Sequence, residues 1–276
     1  MEFIIWSKDR SSQLYLLLES IDKCFRNVYH KVNVLYKATD GFEEGYAACS
    51  REFCCKPNGY NLIKEHDFYS DSIKLLEEAR PKICLLTDDT VFYNTIEDKE
   101  FEAAFDFMIL DPRNIFSFRL GRNTVIQDHI NQTKQKQLEQ PCINKIISWK
   151  PNAYPSHTNN GYPFAIDAHL YHKSFLLPKM KSFEWKNTNV LEGGLQKFTK
   201  EVNTLGCFEK SKAVNVPYNN LSGLTMVNQN NNMSIQEAND VFLSGKKIDL
   251  RTIEETRIVG CHQDVELKWT ERIDVS

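Results

Sequence analysis

Between Phe3 and Leu86 the chain alternates short β-type apolar runs with stretches whose apolar residues recur at helical spacing, an order that few folds accommodate. Phe3 to Trp6 reads as a strand. Ser11 or Ser12 caps a helix carried by Leu14, Leu17, Leu18, Ile21 and Phe25. Val32 to Tyr36 is a second strand, followed by a helix from about Glu43 to Phe53. A further helix, Asp71 to Arg80, is closed by Pro81 and leads directly into the strand Ile83 to Leu86. This β-α-β-α-β series predicts an α/β fold, a doubly wound and mostly parallel central sheet with helices on both faces. Ligands of such sheets bind beyond the carboxyl ends of the strands.

A chain of 276 residues, 41% hydrophobic and 26% charged, can bury one large core, and a single domain is expected. The net charge of −3 supplies no basic field, so nucleic acid is not an expected partner. No apolar run approaches the ~20 residues of a membrane-spanning helix, which predicts no integral membrane segment. The opening Met1-Glu2-Phe3-Ile4-Ile5-Trp6 lacks the features of a signal peptide, and the chain is expected to begin at Met1. Eight cysteines, Cys54 and Cys55 adjacent, show no CxxC pairing and suit reduced thiols in a cytoplasmic protein; a disulfide framework is the alternative.

The rest of the chain is less regular. Phe101, Ala104, Phe105 and Met108 fit one more helix, broken at Asp111-Pro112, and Ile115 to Leu120 alternates as a strand that includes Arg119. Asn131 to Gln140 reads as an exposed polar excursion, Lys150 to Pro163 as a loop of functional length, and Asn228 to Asn232 as a polar loop. Ser234-Ile235-Gln236-Glu237 is a capping box opening a helix through Phe242, with Gly245 placed to stop it.

The most informative segment is Ile83 to Phe92, where an apolar strand ends in the adjacent carboxylates Asp88 and Asp89 and then resumes apolar. Two buried carboxylates at a strand end are costly unless paired. A hard cation, Mg²⁺ or Mn²⁺, resolves that cost by taking one or two carboxylates together with the oxygens of a diphosphate. The same pair also serves as a simple turn and cap.

An Asp-x-Asp-like pair after an apolar strand, together with the opening Phe3 to Arg10, resembles a nucleotide-sugar glycosyltransferase of the type A, Rossmann-like fold. The segments Phe116-Ser117-Phe118-Arg119-Leu120-Gly121, Tyr162 to His169 and Asn189-Val190-Leu191-Glu192-Gly193 are similar to pieces of bacterial and large-virus sugar transferases. The resemblance spans most of the chain and rests on the order of short motifs. It implies a nucleotide-binding half over residues 1–110, with an acceptor-binding half and C-terminal segment over 111–276.

Carried over residue by residue, the resemblance makes Asp89 the metal-binding carboxylate and Asp88 a contact to ribose or to the metal's water shell. Thr87 stands where many relatives have a third Asp. Ser7 and Arg10 belong to the loop that cradles the nucleotide, Arg10 meeting phosphate or base, or else forming a solvated turn. Asp67, after a strand end, is placed at the nucleobase. His262 is either a metal ligand near the C-terminus or a structural histidine. Transfer with inversion needs a carboxylate base for the acceptor hydroxyl, and Glu192, in a Gly-flanked turn ahead of a helix, competes for that role with Asp167. Either carboxylate also suits a helix cap. Arg119 pairs with donor phosphates or with a core carboxylate, and Tyr162 is a wall of the sugar site or part of the core.

The function these readings favour is a metal-dependent glycosyltransferase. It would move a sugar from a nucleoside-diphosphate donor of UDP or GDP type to a glycan or small-molecule acceptor. A sugar nucleotidyltransferase is disfavoured because Ser7 to Ser12 contains no glycine. A noncatalytic nucleotide-sugar or carbohydrate binding protein is the other alternative.

Overall fold

The computed structural model describes residues 1–128, 133–218 and 233–272. The chain opens with β1 (Glu2–Lys8), α1 (Ser11–Cys24), β2 (Lys31–Lys37), α2 (Glu43–Phe53), β3 (Tyr60–Lys64), α3 (Phe68–Glu78) and β4 (Lys82–Thr87). Next come β5 (Thr90–Phe92), α4 (Asp98–Leu110), β6 (Asn114–Ser117), β7 (Ile126–Asp128), β8 (Thr133–Lys134), β9 (Ile146–Trp149) and β10 (His169–His172). After α5 (Lys173–Met180), α6 (Thr188–Leu195), β11 (Thr204–Phe208) and β12 (Ala213–Asn215), the chain closes with α7 (Ile235–Leu243), β13 (Lys246–Ile248), α8 (Arg251–Glu254) and β14 (Trp269–Glu271).

Eight strands form the central sheet in the order β3-β2-β1-β4-β10-β6-β11-β9. The first four are parallel, β10 runs against both its neighbours, β11 is parallel to β6, and β9 closes the far edge antiparallel. The doubly wound α/β plan is present, with a mixed second half. Alternate residues of β1 and β4 go to opposite faces. Phe3, Ile5, Cys84 and Leu86 pack with Leu14, Leu17, Leu18 and Ile21 of α1, whereas Ile4, Trp6, Ile83 and Leu85 pack with Leu75 and Leu76 of α3 and with Leu176 and Leu191. Burial on both faces is why these strands read as unbroken apolar runs. Each fully buried aliphatic side chain contributes roughly 1.5–3 kcal/mol.

β3 supplies the strand end ahead of Asp67; it is an edge strand whose residues after Tyr60 are only partly covered or exposed, so it carries little apolar signal and stands outside the regular series. Helix α2 crosses close to α1 at Gly45, where a Cβ would stand 2.2 Å from Ser11 Oγ. Ser11 Oγ in turn donates to Asn239 Oδ1 of α7 at 3.2 Å. Both halves of the Ser234–Glu237 capping box form, and all eight cysteines are free thiols.

Other expectations need correction. Arg119 lies beyond the end of β6, which stops at Ser117, because Leu120 N–H turns back to bond the Ser117 hydroxyl. Glu192 lies within α6, capped upstream by Asn187, rather than in a turn before a helix. Within the expected exposed excursion Gln135 and Leu138 are buried; positions 131 and 132, and the loop Asn228 to Asn232, lie outside the described residues. No helix among the described residues is long and apolar enough to cross a membrane.

Candidate active site

β1 and β4 lie side by side and parallel, Trp6 opposite Thr87, so both carboxyl ends deliver loops to one edge of the sheet. β2 and β3 extend from β1 in one direction and β4 and β10 in the other, making this edge the topological switch point where such sheets open a crevice. Asp9 turns the chain out of β1 with φ 55°, a left-handed conformation that aspartate tolerates, and its Oδ1 accepts the Thr39 N–H at 2.7 Å.

That turn brings Arg10 Nη1 to 3.3 Å from Asp88 Oδ1. Asp88 Oδ2 accepts from Ser7 Oγ at 2.8 Å and from the Lys8 N–H at 3.3 Å. Tyr46 of α2 closes the set, its hydroxyl 2.8 Å from Ser7 Oγ and accepting the Arg10 N–H at 3.1 Å. Burial pushes the Asp88 carboxyl up to about 6, against the pull of Arg10.

Thr87 and Asp89 belong to a second set of contacts. Thr87 Oγ1 lies 2.7 Å from Asp89 Oδ1 and 2.6 Å from Asp167 Oδ1. Asn215 donates through Nδ2 to Asp89 Oδ1 at 3.2 Å, and it is held there because β12 pairs antiparallel with β5, Asn215 opposite Thr90. The C-terminal segment adds itself to this ribbon: Asn215 N–H donates to Cys261 O at 2.8 Å, and Gln263 N–H donates to Asn215 O at 3.0 Å. His262 is thereby placed with Nε2 3.8 Å from Asp167 Oδ2, an ion-pair separation.

Asp167 arrives at the same corner just ahead of β10. Ala168, between them, has φ 54°, a conformation alanine keeps only when its surroundings enforce it. Here two backbone bonds do so: Ala168 N–H donates to Leu85 O, and Ala168 O accepts the Phe118 N–H, both at 2.9 Å.

Arg119, fully inside the protein, places Nη1 3.3 Å from Asp167 Oδ2. Glu192 Oε1 accepts the Ile166 N–H at 3.2 Å. Burial pushes the Asp167 carboxyl up, but His262, Arg119 and Thr87 together hold it below the usual carboxylate range. Glu192 has the opposite fate: burial first, then repulsion by Asp167, pushes it up to about 7 despite Arg119. Neighbouring carboxyl groups driven apart in this way suit different roles in acid and base chemistry. Burial and then the Glu192 charge raise the Tyr162 phenol above its ordinary range, placing Tyr162 beside this group. His169 lies behind it, lowered to about 3 by burial and Arg119 and therefore a neutral imidazole, with Nδ1 3.1 Å from Asp167 O.

Of the residues singled out from sequence, Asp89, Asp167, His262, Arg119, Glu192 and Tyr162 gather around one corner, and Ser7, Arg10 and Asp88 form the adjoining set. Asp67 is an exposed helix cap, its Oδ1 accepting Ser70 N–H at 2.8 Å and Ser70 Oγ at 2.6 Å. Sequence reasoning gave no role to Tyr46 or Asn215, since each reaches the site through pairing distant in the chain.

A divalent cation can be tested against these donors. Asp88 is consumed by Ser7, Lys8 and Arg10. Among the described residues no three His, Cys, Asp or Glu side chains form a group able to hold a metal ion. Asp89 Oδ2, by contrast, accepts no hydrogen bond from a described residue, since the bonds to this carboxylate end on Oδ1. An open carboxylate oxygen of this kind suits a hard cation such as Mn²⁺ or Mg²⁺ only where ligand oxygens and water supply most of the shell.

No protein-family model and no curated protein matches the chain. Among solved structures it is similar to S. aureus TarS residues 1–349, at 14% identity and a TM-score of 0.45 over 77% of this chain and 60% of that one. It is similar also to the same protein in complex with UDP-GlcNAc, at 13% identity and a TM-score of 0.47 over 77% of this chain and 58% of that one. Galactosyltransferase LgtC, in complex with donor and acceptor sugar analogs, matches at 13% identity and a TM-score of 0.37 over 73% of this chain and 66% of that one. The chain thus spans less than two thirds of the TarS chains it matches.

Proposed function

We propose that the protein is a glycosyltransferase that moves a sugar from a nucleoside diphosphate to an acceptor hydroxyl, with Glu192 as general base. The observation that carries this reading is the contrast between Asp167 and Glu192. One carboxylate is held ionised by Arg119 and Thr87, while burial and the Asp167 charge raise its neighbour well above the usual carboxylate range, toward the region where a base can both accept and release a proton.

In this reading Ser7, Arg10 and Asp88 form the wall against which the nucleotide lies, and Tyr46 fixes that wall from behind. Asp89, assisted by His262, would hold Mn²⁺ or Mg²⁺, which when bound neutralises charge on the departing diphosphate. Asp167 lies between the two ends of the reaction and lends negative charge beside the sugar, where positive charge develops. Glu192 takes the acceptor proton, and a single displacement of this kind inverts the anomeric centre. Tyr162 flanks the acceptor side.

The test is thermal stabilisation by UDP, GDP and other nucleoside diphosphates with and without Mn²⁺, since a ligand of the native state raises its stability by mass action. Stabilisation by at least one nucleotide that grows with Mn²⁺ is expected, and Asp89→Ala is expected to remove the manganese-dependent part. A metal response unchanged in that variant counts against the site. Donor hydrolysis without acceptor separates an enzyme from a binding protein.

A further inference from the structure

Thr87 offers one hydroxyl to two carboxylates: its Oγ1 is 2.7 Å from Asp89 Oδ1 and 2.6 Å from Asp167 Oδ1. A hydroxyl carries a single proton, so it can donate to only one of them at a time. The two oxygens nevertheless stay on it, because each acid is fixed from elsewhere. Asp89 is fixed by Asn215 Nδ2 at 3.2 Å and by its own carbonyl, which accepts the Val216 N–H at 2.8 Å. Asp167 is fixed by Arg119 and by the left-handed Ala168 that follows it. Thr87 itself is the last residue of β4, with Trp6 opposite it on β1, and is not free to drift.

We infer that Thr87 is a positioning residue whose hydroxyl sets the spacing between Asp89, on the diphosphate side, and Asp167, on the sugar side. This rests on the proposed function, which assigns those two sides. A serine can do the same work. A valine, equal in shape, cannot: it removes the hydroxyl that the two acids share and leaves an apolar methyl between like charges.

The experiment uses the full chain and three proteins: wild type, Thr87→Ser and Thr87→Val. The first readout is Mn²⁺ alone, followed by loss of the free-ion electron paramagnetic resonance signal; the second is hydrolysis of UDP-sugar and GDP-sugar donors, to free sugar and nucleoside diphosphate, at saturating metal. Thr87→Ser is expected to stay within about threefold of wild type in both. Thr87→Val is expected to weaken Mn²⁺ binding about tenfold and to lower kcat at least tenfold, while its melting temperature without ligand stays within a few degrees of wild type. Should Thr87→Val not fold, Thr87→Ala serves in its place, with the same expected losses. Wild-type binding and hydrolysis in Thr87→Val would overturn this inference alone, as would equal impairment in Thr87→Ser. A wild-type protein that neither binds Mn²⁺ nor turns over any donor would overturn the glycosyltransferase reading, and the role of Thr87 with it.

Discussion

The Arg10 guanidinium stands 3.3 Å from the Asp88 carboxylate, bridging the carboxyl ends of two parallel strands. Even with that cation present, burial keeps the Asp88 carboxyl near 6, raised from an ordinary 3.8. The folded protein therefore binds this proton more tightly than the unfolded chain does. The stability it contributes is full below about pH 4 and is lost as pH rises through 6.

Replacing Arg10 by Met should extend that loss to higher pH. Urea denaturation at pH 5 is expected to show a small deficit, because Asp88 can keep its proton. At pH 8 the deficit should grow to about 1–3 kcal/mol, the cost of a buried acceptor stripped of its partner. Equal deficits at both pH values would refute the ion pair's role.

Glu192 gives a second pH signature. Its carboxyl rises from 4.5 to about 7, so its stabilising proton is lost between those values, and Glu192→Gln should flatten the stability curve across that window. In the proposed role of general base Glu192 has to be deprotonated, which predicts a transfer rate that rises with pH through about 7. Glu192→Gln is expected to lower kcat by roughly 10²–10⁴ and to abolish that rise. Steady-state kinetics from pH 5.5 to 8.5 provide the check.

Arg119→Met should be destabilising, by about 1–3 kcal/mol, because it takes from the buried Asp167 carboxylate its guanidinium partner and leaves it only Thr87 and His262. Pairing it with Asp167→Asn should recover a good part of that loss, since no buried charge is then left unpartnered. Chemical denaturation of the two single variants and the double variant measures the coupling.

Ala168→Gly should stabilise the fold by about 0.5–1 kcal/mol, since glycine enters the left-handed region freely. Ala168→Val should destabilise it and displace Asp167. A melting temperature that falls in the glycine variant would contradict the strain argued for this residue.

The early β-α alternation was legible because both faces of β1, β2 and β4 are buried, and helices α1 and α2 carry clean apolar spacing. Asp88 and Asp89 stood out for a local reason, two acids ending an apolar strand. Their division of labour was not legible. It depends on Arg10 turning back through Asp9 and on Asn215 arriving from β12, contacts between residues far apart in sequence. Arg119 read as a strand residue because Phe116, Phe118 and Leu120 alternate through that stretch. The Ser117 hydroxyl, which ends the strand by bonding Leu120, has no periodic signature. Glu192 was read in a turn because Gly193 and Gly194 follow it; Gly194 stays helical to let Phe183 pack against it, where a Cβ would stand 2.2 Å from the ring.

The reversal of β10 among its neighbours has a consequence for how the crevice holds its acid. Because that strand starts at the rim where β4 and β6 finish, the residue leading into it is anchored by backbone ladders on either side. Asp167, just ahead of it, thus owes its place to strand pairing rather than to the tight turns Pro151–Ala153 and Asn159–Gly161 that the chain passes through on the way.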